Sequence, residues 1–285
     1  MTMASMTQVN QIPRHFPMPR KRDLFGVRVS PTTYDQVVRT VIRAARARHP
    51  AIVDLMPVHG LVTAALDPAY RTKIDTFDIV APDGQPVRWA LNNFHNTNLA
   101  DRVYGPKLMW MLCEAAAKAG VSVYLLGSTP YVLNKLARRL VSHIPGLQIA
   151  GQTSPPFRAL TAEEDAELVR KINDSGAGIV FLGLGCPLQE TFAYEHRTSI
   201  RAVQLCVGAA FDFHAGTKRM APAWMQRRGL EWLYRLTHEP RRLWKRYFVT
   251  NSVFIVLFAR EIFRRRPPAR YAGVIPDEVE PLADV

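Results

Sequence analysis

The chain has 285 residues, of which 48% are hydrophobic, and carries 37 Lys and Arg against 24 Asp and Glu for a formal net charge of +13. That length and apolar content are enough for a full-sized core and exclude wholesale disorder. Its three cysteines, Cys113, Cys186 and Cys206, are widely spaced and form no CxxC pair, which argues against a disulfide framework or structural zinc and fits a reducing compartment.

In chain order, residues 1–24 lack an apolar stretch of the kind a signal peptide needs and read as a disordered tail. An amphipathic segment at 34–48 predicts the first helix, and 51–56 (AIVDLM) the first strand. Strands follow at 77–81, 121–127, 147–151, 178–185 and 202–208. Helices are expected at 106–120, 130–144 and 161–176, the last opened by the Thr161/Glu164 capping box. Continuous Val/Ile/Leu runs suit strands covered on both faces. Alternation of such strands with helices predicts an α/β, Rossmann-like parallel-sheet core over 25–216 with helices on both faces.

The texture changes after residue 216. Between Thr217 and Arg270 there are 14 Lys and Arg against 3 Asp and Glu, so this quarter holds most of the net charge. Helices are expected at 223–240 and 241–266, forming a basic appendage over 217–268. In the second helix Trp244, Tyr247, Phe248, Asn251, Ile255, Phe258 and Ile262 recur at spacings of three or four, flanked by Arg241, Arg242, Lys245 and Arg246. An apolar stripe with cationic borders suits a helix lying on an anionic bilayer, and equally one docked on the core. The apolar run at 247–259 is too short to span a bilayer, which takes about 20 residues. The acidic segment 269–285 reads as a second disordered tail, and the whole as a cytoplasmic protein.

Ligands of open α/β sheets bind beyond the carboxyl ends of the strands. Asp83 and Gly84 follow one strand there; Gly127 and Ser128 follow another, just before Pro130 at a helix start. Gln189 and Glu190 follow a third, and Asp212 and His214 a fourth. Asp83 in Pro-Asp-Gly is also a good turn residue, and Asp212 a good strand-end cap. Gly127-Ser128 at a helix N-terminus can cradle a phosphate. His59, His95, His196, His214 and His238 share no ligand spacing, and no GxGxxG, P-loop or GxSxG motif occurs.

Taken together, Pro-Asp-Gly at 82–84, DRVYGPKLM at 101–109, YLLGS at 124–128, GLGCPLQE at 183–190, GAAFDFHAG at 208–216 and RGLEWLYRLTHEPRRLWKRY at 228–247 resemble the WecG/TagA/CpsF family of bacterial glycosyltransferases. The resemblance covers about residues 25–260. It implies an inverting, metal-independent transfer from a UDP-sugar to a polyprenyl-diphosphate-linked sugar in surface polysaccharide synthesis, on the inner face of the membrane. By the same resemblance Asp83 matches the general base, Arg102 and Gln189 substrate-binding residues, and Asp212 a residue near the nucleotide. The appendage, with Arg235, Arg241, Arg242 and Arg246, is expected to serve phosphate and membrane. Asp54 and Met56 stand where many members have Thr-x-Asn. The donor therefore stays open between N-acetylmannosamine, its uronic acid, glucose and another hexose.

The chemistry agrees. Inverting transfer needs a base for the acceptor hydroxyl, and departing UDP needs cationic stabilisation. With no Asp-x-Asp motif, arginines are the expected source and no metal or other cofactor is expected. The alternative reading is a nucleic-acid-binding module built on the Arg/Trp/Tyr-rich C-terminus. The apolar stripe speaks against it, so no nucleic-acid partner is expected.

Overall fold

The computed structural model of the chain describes residues 18–265. The tail expected over 269–285, and residues 1–17 of the one expected over 1–24, lie outside the described residues. Residues 22–24 correct that second boundary: β1 (Arg22–Leu24) pairs antiparallel with β2 (Val27–Val29). Leu24, Val27 and Val29 are buried, and their apolar surface holds this hairpin to the body.

The core then runs α1 (Tyr34–Arg46), β3 (Ala51–Met56), α2 (Val58–Leu66), α3 (Pro68–Asp75), β4 (Ile79–Pro82), α4 (Gln85–His95), α5 (Gly105–Ala119), β5 (Val123–Gly127), α6 (Pro130–His143), β6 (Ile149–Thr153), α7 (Ala162–Asp174), β7 (Ile179–Gly183), α8 (Leu188–Glu195), β8 (Val203–Cys206) and α9 (Ala210–Ala215). The appendage comprises α10 (Ala223–Arg227), α11 (Glu231–His238) and α12 (Pro240–Arg265). Local chemistry accounts for the starts. Thr33 and Gln36 form a capping box on α1, Thr161 and Glu164 the expected one on α7, and the Asp67 carboxylate accepts from two α3 amides.

Strands β3 to β8 form one parallel sheet in the order β4-β3-β8-β7-β5-β6. This is the expected Rossmann-like α/β architecture. Side chains alternate across it. Val53 and Leu55 face the layer of α1, α5, α6 and α9, while Ile52 and Met56 face that of α2, α3, α4, α7, α8 and α12. Both faces are covered: Phe181 and Phe211 in the first layer and Phe77 in the second are fully buried, each burial stabilising by about 1.5–3 kcal/mol.

The helices α2, α3, α4, α8 and α9 have no counterpart among the expected elements. Four buried residues line the nine-residue α2, so its polar-apolar rhythm is faint. The appendage brings two corrections. The helix expected over 223–240 is broken into α10 and α11 at Gly229, whose φ is +71°; a Cβ there would lie 2.9 Å from the Trp89 ring. On α12 the predicted apolar stripe is split between two faces. Phe254 is buried and, with Phe258 and Ile262, packs on the core cluster, with Phe254 and Phe258 close to the Phe25 and Phe94 rings. Trp244, Phe248 and Ile255 point outward at 58%, 72% and 66% exposure. The helix is thus docked and still presents an apolar outer face.

Candidate active site

Asp83 sits where β4 ends. Its backbone N–H donates to the Met56 carbonyl at the end of β3 (3.1 Å), so the two strand ends hold one another. The Gly105 N–H, at the start of α5, donates to Asp83 Oδ1 at 3.3 Å. Burial pushes the Asp83 carboxyl up to about 7, with Glu231 adding to the rise. Arg102, the Gly105 amide and Arg235 oppose it. The group therefore exchanges its proton near neutrality, where a general base is most effective.

Arg102 is buried and its Nη2 donates to Glu231 Oε2 at 2.6 Å. Burial works against its charge, and Asp83 and Glu231 outweigh that penalty. Its guanidinium also lies 4.4 Å from the centre of the Tyr104 ring, while the Tyr104 N–H donates to the Tyr34 hydroxyl at 2.9 Å. Glu231 opens α11, so the appendage reaches back and closes an ion pair at the strand ends. A cavity of about 490 Å³ adjoins this cluster, lined among others by Tyr34, Arg102, Tyr104, Trp110, His214 and Arg227. Its size suits a small organic ligand.

A second acidic cluster lies on the neighbouring strands. Asp54 on β3, Glu190 on α8 and Cys206 on β8 are each about 1% exposed, with ligand atoms within 4.8 Å of one another. Burial, then the facing Glu190, pushes Asp54 well above the usual carboxylate range, and burial raises Glu190 also. One shared proton satisfies such a pair. That spacing would also accept a cation, whose charge would draw the protons off these groups. Gln189 Nε2 donates to Glu190 Oε1 at 2.9 Å, leaving Gln189 Oε1 without a donor among the described residues. A Cβ at Gly208 would lie 3.5 Å from that oxygen, which places Gln189 at the end of β8.

The expected site residues thus fall into three groups along one rim. Asp83, Met56 and Arg102 come together, joined by Arg235. Asp54 and Gln189 join through Glu190. Gly127 and Ser128 lie further along, where Gly127 pairs in register with Gly183; its φ is +124° and a Cβ would meet the Gly183 backbone at 2.6 Å. The half-buried Asp212 lies within α9 rather than at the end of β8, so it is not the strand-end cap weighed for it; its carboxylate accepts from Thr217 Oγ1 at 3.3 Å. Among the tail arginines, Arg246 lies near His59, whose imidazole burial and Arg246 push down to about 4. Arg242 pairs with Glu239, and Arg241 is exposed. Glu231 is the residue that sequence reasoning missed. Its signal was an acid, one of three, in a basic, aromatic segment.

The chain matches the family model described as Glycosyl transferase WecG/TagA/CpsF family over residues 22–268. It is 28% identical over 216 residues to the N-acetylglucosaminyldiphosphoundecaprenol N-acetyl-beta-D-mannosaminyltransferase of Bacillus spizizenii, spanning 75% of this chain and 80% of that protein. It is 31% identical over 198 residues to the protein of the same name from Bacillus subtilis, spanning 69% and 74%.

Proposed function

This chain belongs to the WecG/TagA/CpsF family of glycosyltransferases, and on that premise we propose that it moves a hexose from a UDP-sugar to a polyprenyl-diphosphate-linked sugar with inversion and without a divalent metal. Asp83 takes the acceptor hydroxyl proton as that oxygen attacks the anomeric carbon. The bond to UDP breaks, and the charge on the departing diphosphate is balanced by guanidinium groups, with Arg235 the best situated. Arg102 and its partner Glu231 hold the Asp83 carboxyl in a state that can both accept and release a proton. Gln189 presents its free Oε1 to a sugar hydroxyl.

The observation that carries this reading is Asp83's environment: a desolvated carboxyl titrating at about 7, at a strand end, beside two arginines and a cavity. The two Bacillus relatives are named for transferring N-acetylmannosamine to N-acetylglucosaminyldiphosphoundecaprenol, so those are the first substrates to assay. Asp54 and Met56 justify UDP-glucose and a UDP-uronic acid as parallel arms. Transfer from one of these donors in EDTA is the expected result. Turnover that vanishes in EDTA and returns with Mg²⁺ would overturn the metal-free mechanism.

The protein acts at the inner face of the membrane in this reading. Among the described residues no helix is long and apolar enough to cross a bilayer. The outer face of α12, with Phe248 and Ile255 beside Arg241 and Lys245, is suited to lie on anionic lipid. Phe248→Asp with Ile255→Asp should abolish flotation with phosphatidylglycerol vesicles and leave Tm unchanged. Flotation equal to wild type removes the membrane role from α12.

A further inference from the structure

A second cavity, of about 550 Å³, lies away from the Asp83 cluster and shares none of its lining with the cavity there. Its walls carry Arg20, Arg22, Arg39 and Arg43, with Thr40 and Asn96 between them. Two backbone periodicities bring these charges together. Arg20 and Arg22 flank Lys21, whose ammonium turns the other way to the Asp75 and Phe77 carbonyls. Arg39 and Arg43 stand one turn apart on α1.

All four arginines are exposed, and their side chains make no hydrogen bond or ion pair with another described residue. Elsewhere among the described residues, Arg102, Arg158, Arg242, Arg264 and Arg265 are all matched to carboxylates. Like charges four apart on a helix repel, and a bound anion would relieve that repulsion. A concave wall of guanidinium forks with a hydroxyl and an amide between them matches the tetrahedral oxygens of a phosphate group.

We propose that this arginine-lined cleft between the N-terminal hairpin and α1 is a binding site for a phosphate-bearing anion, separate from the sugar-transfer site. A phosphodiester lipid headgroup and a soluble diphosphate both present this chemistry. The proposal holds whether or not Asp83 is the base, because no residue of the cleft belongs to that cluster.

The test is calorimetric titration of the full-length chain with inorganic pyrophosphate, comparing wild type with Arg39→Ala/Arg43→Ala. Both side chains are solvent-facing, so the double variant should keep the wild-type Tm and transfer rate on a water-soluble acceptor. Losing two charge-assisted contacts should weaken pyrophosphate binding at least about tenfold. Arg39→Lys/Arg43→Lys should restore part of it. Flotation with phosphatidylglycerol in phosphatidylcholine, against phosphatidylcholine alone, separates the two sources. A parallel loss of flotation identifies the headgroup, and loss of pyrophosphate binding alone identifies a soluble phosphate. No pyrophosphate binding by the wild-type chain, or equal affinity in the double alanine variant, overturns the site.

Discussion

Two acidic clusters sit side by side on the same rim of the sheet, and they differ in one respect. Asp83 has Arg102 and Arg235 close by, while Asp54 faces Glu190 and has no guanidinium partner among the described residues. Burial raises both carboxyls. At Asp83 cations offset part of that rise and leave the group near 7, able to lose and regain a proton. At Asp54 the Leu55 backbone N–H opposes the rise without a guanidinium to help it, and the carboxyl stays well above the usual carboxylate range. Desolvation sets the direction of a buried acid, and the nearest opposite charge decides whether it can do proton chemistry.

The largest test of that contrast is Asp83→Asn. Transfer should fall about 10²–10⁴-fold, the usual contribution of a positioned base, with no loss of Tm, because a desolvated carboxylate is being replaced by a neutral amide. An unchanged rate would make the two clusters equivalent and end the comparison.

Glu231→Ala should cost about 3 kcal/mol, since it strands the buried Arg102 guanidinium. Glu231 contributes to raising Asp83, so the acid limb of the rate profile should also move to lower pH. Urea unfolding and a pH series on the same preparation measure the two effects together. A stability loss with an unmoved limb would show that Glu231 holds the fold without touching Asp83.

In the wild type, kcat/KM should fall about tenfold per pH unit below about 7. The sign follows from the base being active only when deprotonated. A limb near the ordinary carboxylate range would mean that Asp83 is better solvated than its surroundings indicate.

The smallest effect belongs to Asp54→Asn. A protonated carboxyl and an amide are close in shape, so stability at pH 5 should change by less than about 1 kcal/mol. The folded-state carboxyl is raised above its unfolded value. Its contribution is therefore fully present below the unfolded pKa and is lost as pH rises toward the folded one. Thermal melts should show wild type losing ground to the variant from pH 5 to pH 8. Wild type gaining ground instead would place an ionised Asp54 in the fold.

The strands were legible because they are buried on both faces: 51-AIVDLM-56 is β3 residue for residue, and each other core strand overlaps its predicted run. The capping box at Thr161/Glu164 was equally plain, since both partners are three residues apart. The helices α2 and α4 escaped notice for the opposite reason. Burial around much of α2 erases its periodicity, and α4 starts at a Gln-Pro whose entry is set by the strand before it. The outward half of the α12 stripe could not be separated from the inward half by spacing. Which side faces the core depends on where Phe25 and Phe94 wait for it.

The sequence by itself determined the alternating α/β order, the basic charge of the last quarter, and the acid that follows the second core strand, because hydrophobic period, charge count and turn chemistry are local properties of a chain. Only the tertiary structure decided that Glu231 meets Arg102 across 129 positions, that Asp54 lies against Glu190, and that four arginines from a hairpin and a helix share one cleft. Electrostatics acts through space, and the distances that set it exist only once the sheet has brought its strand ends to one rim.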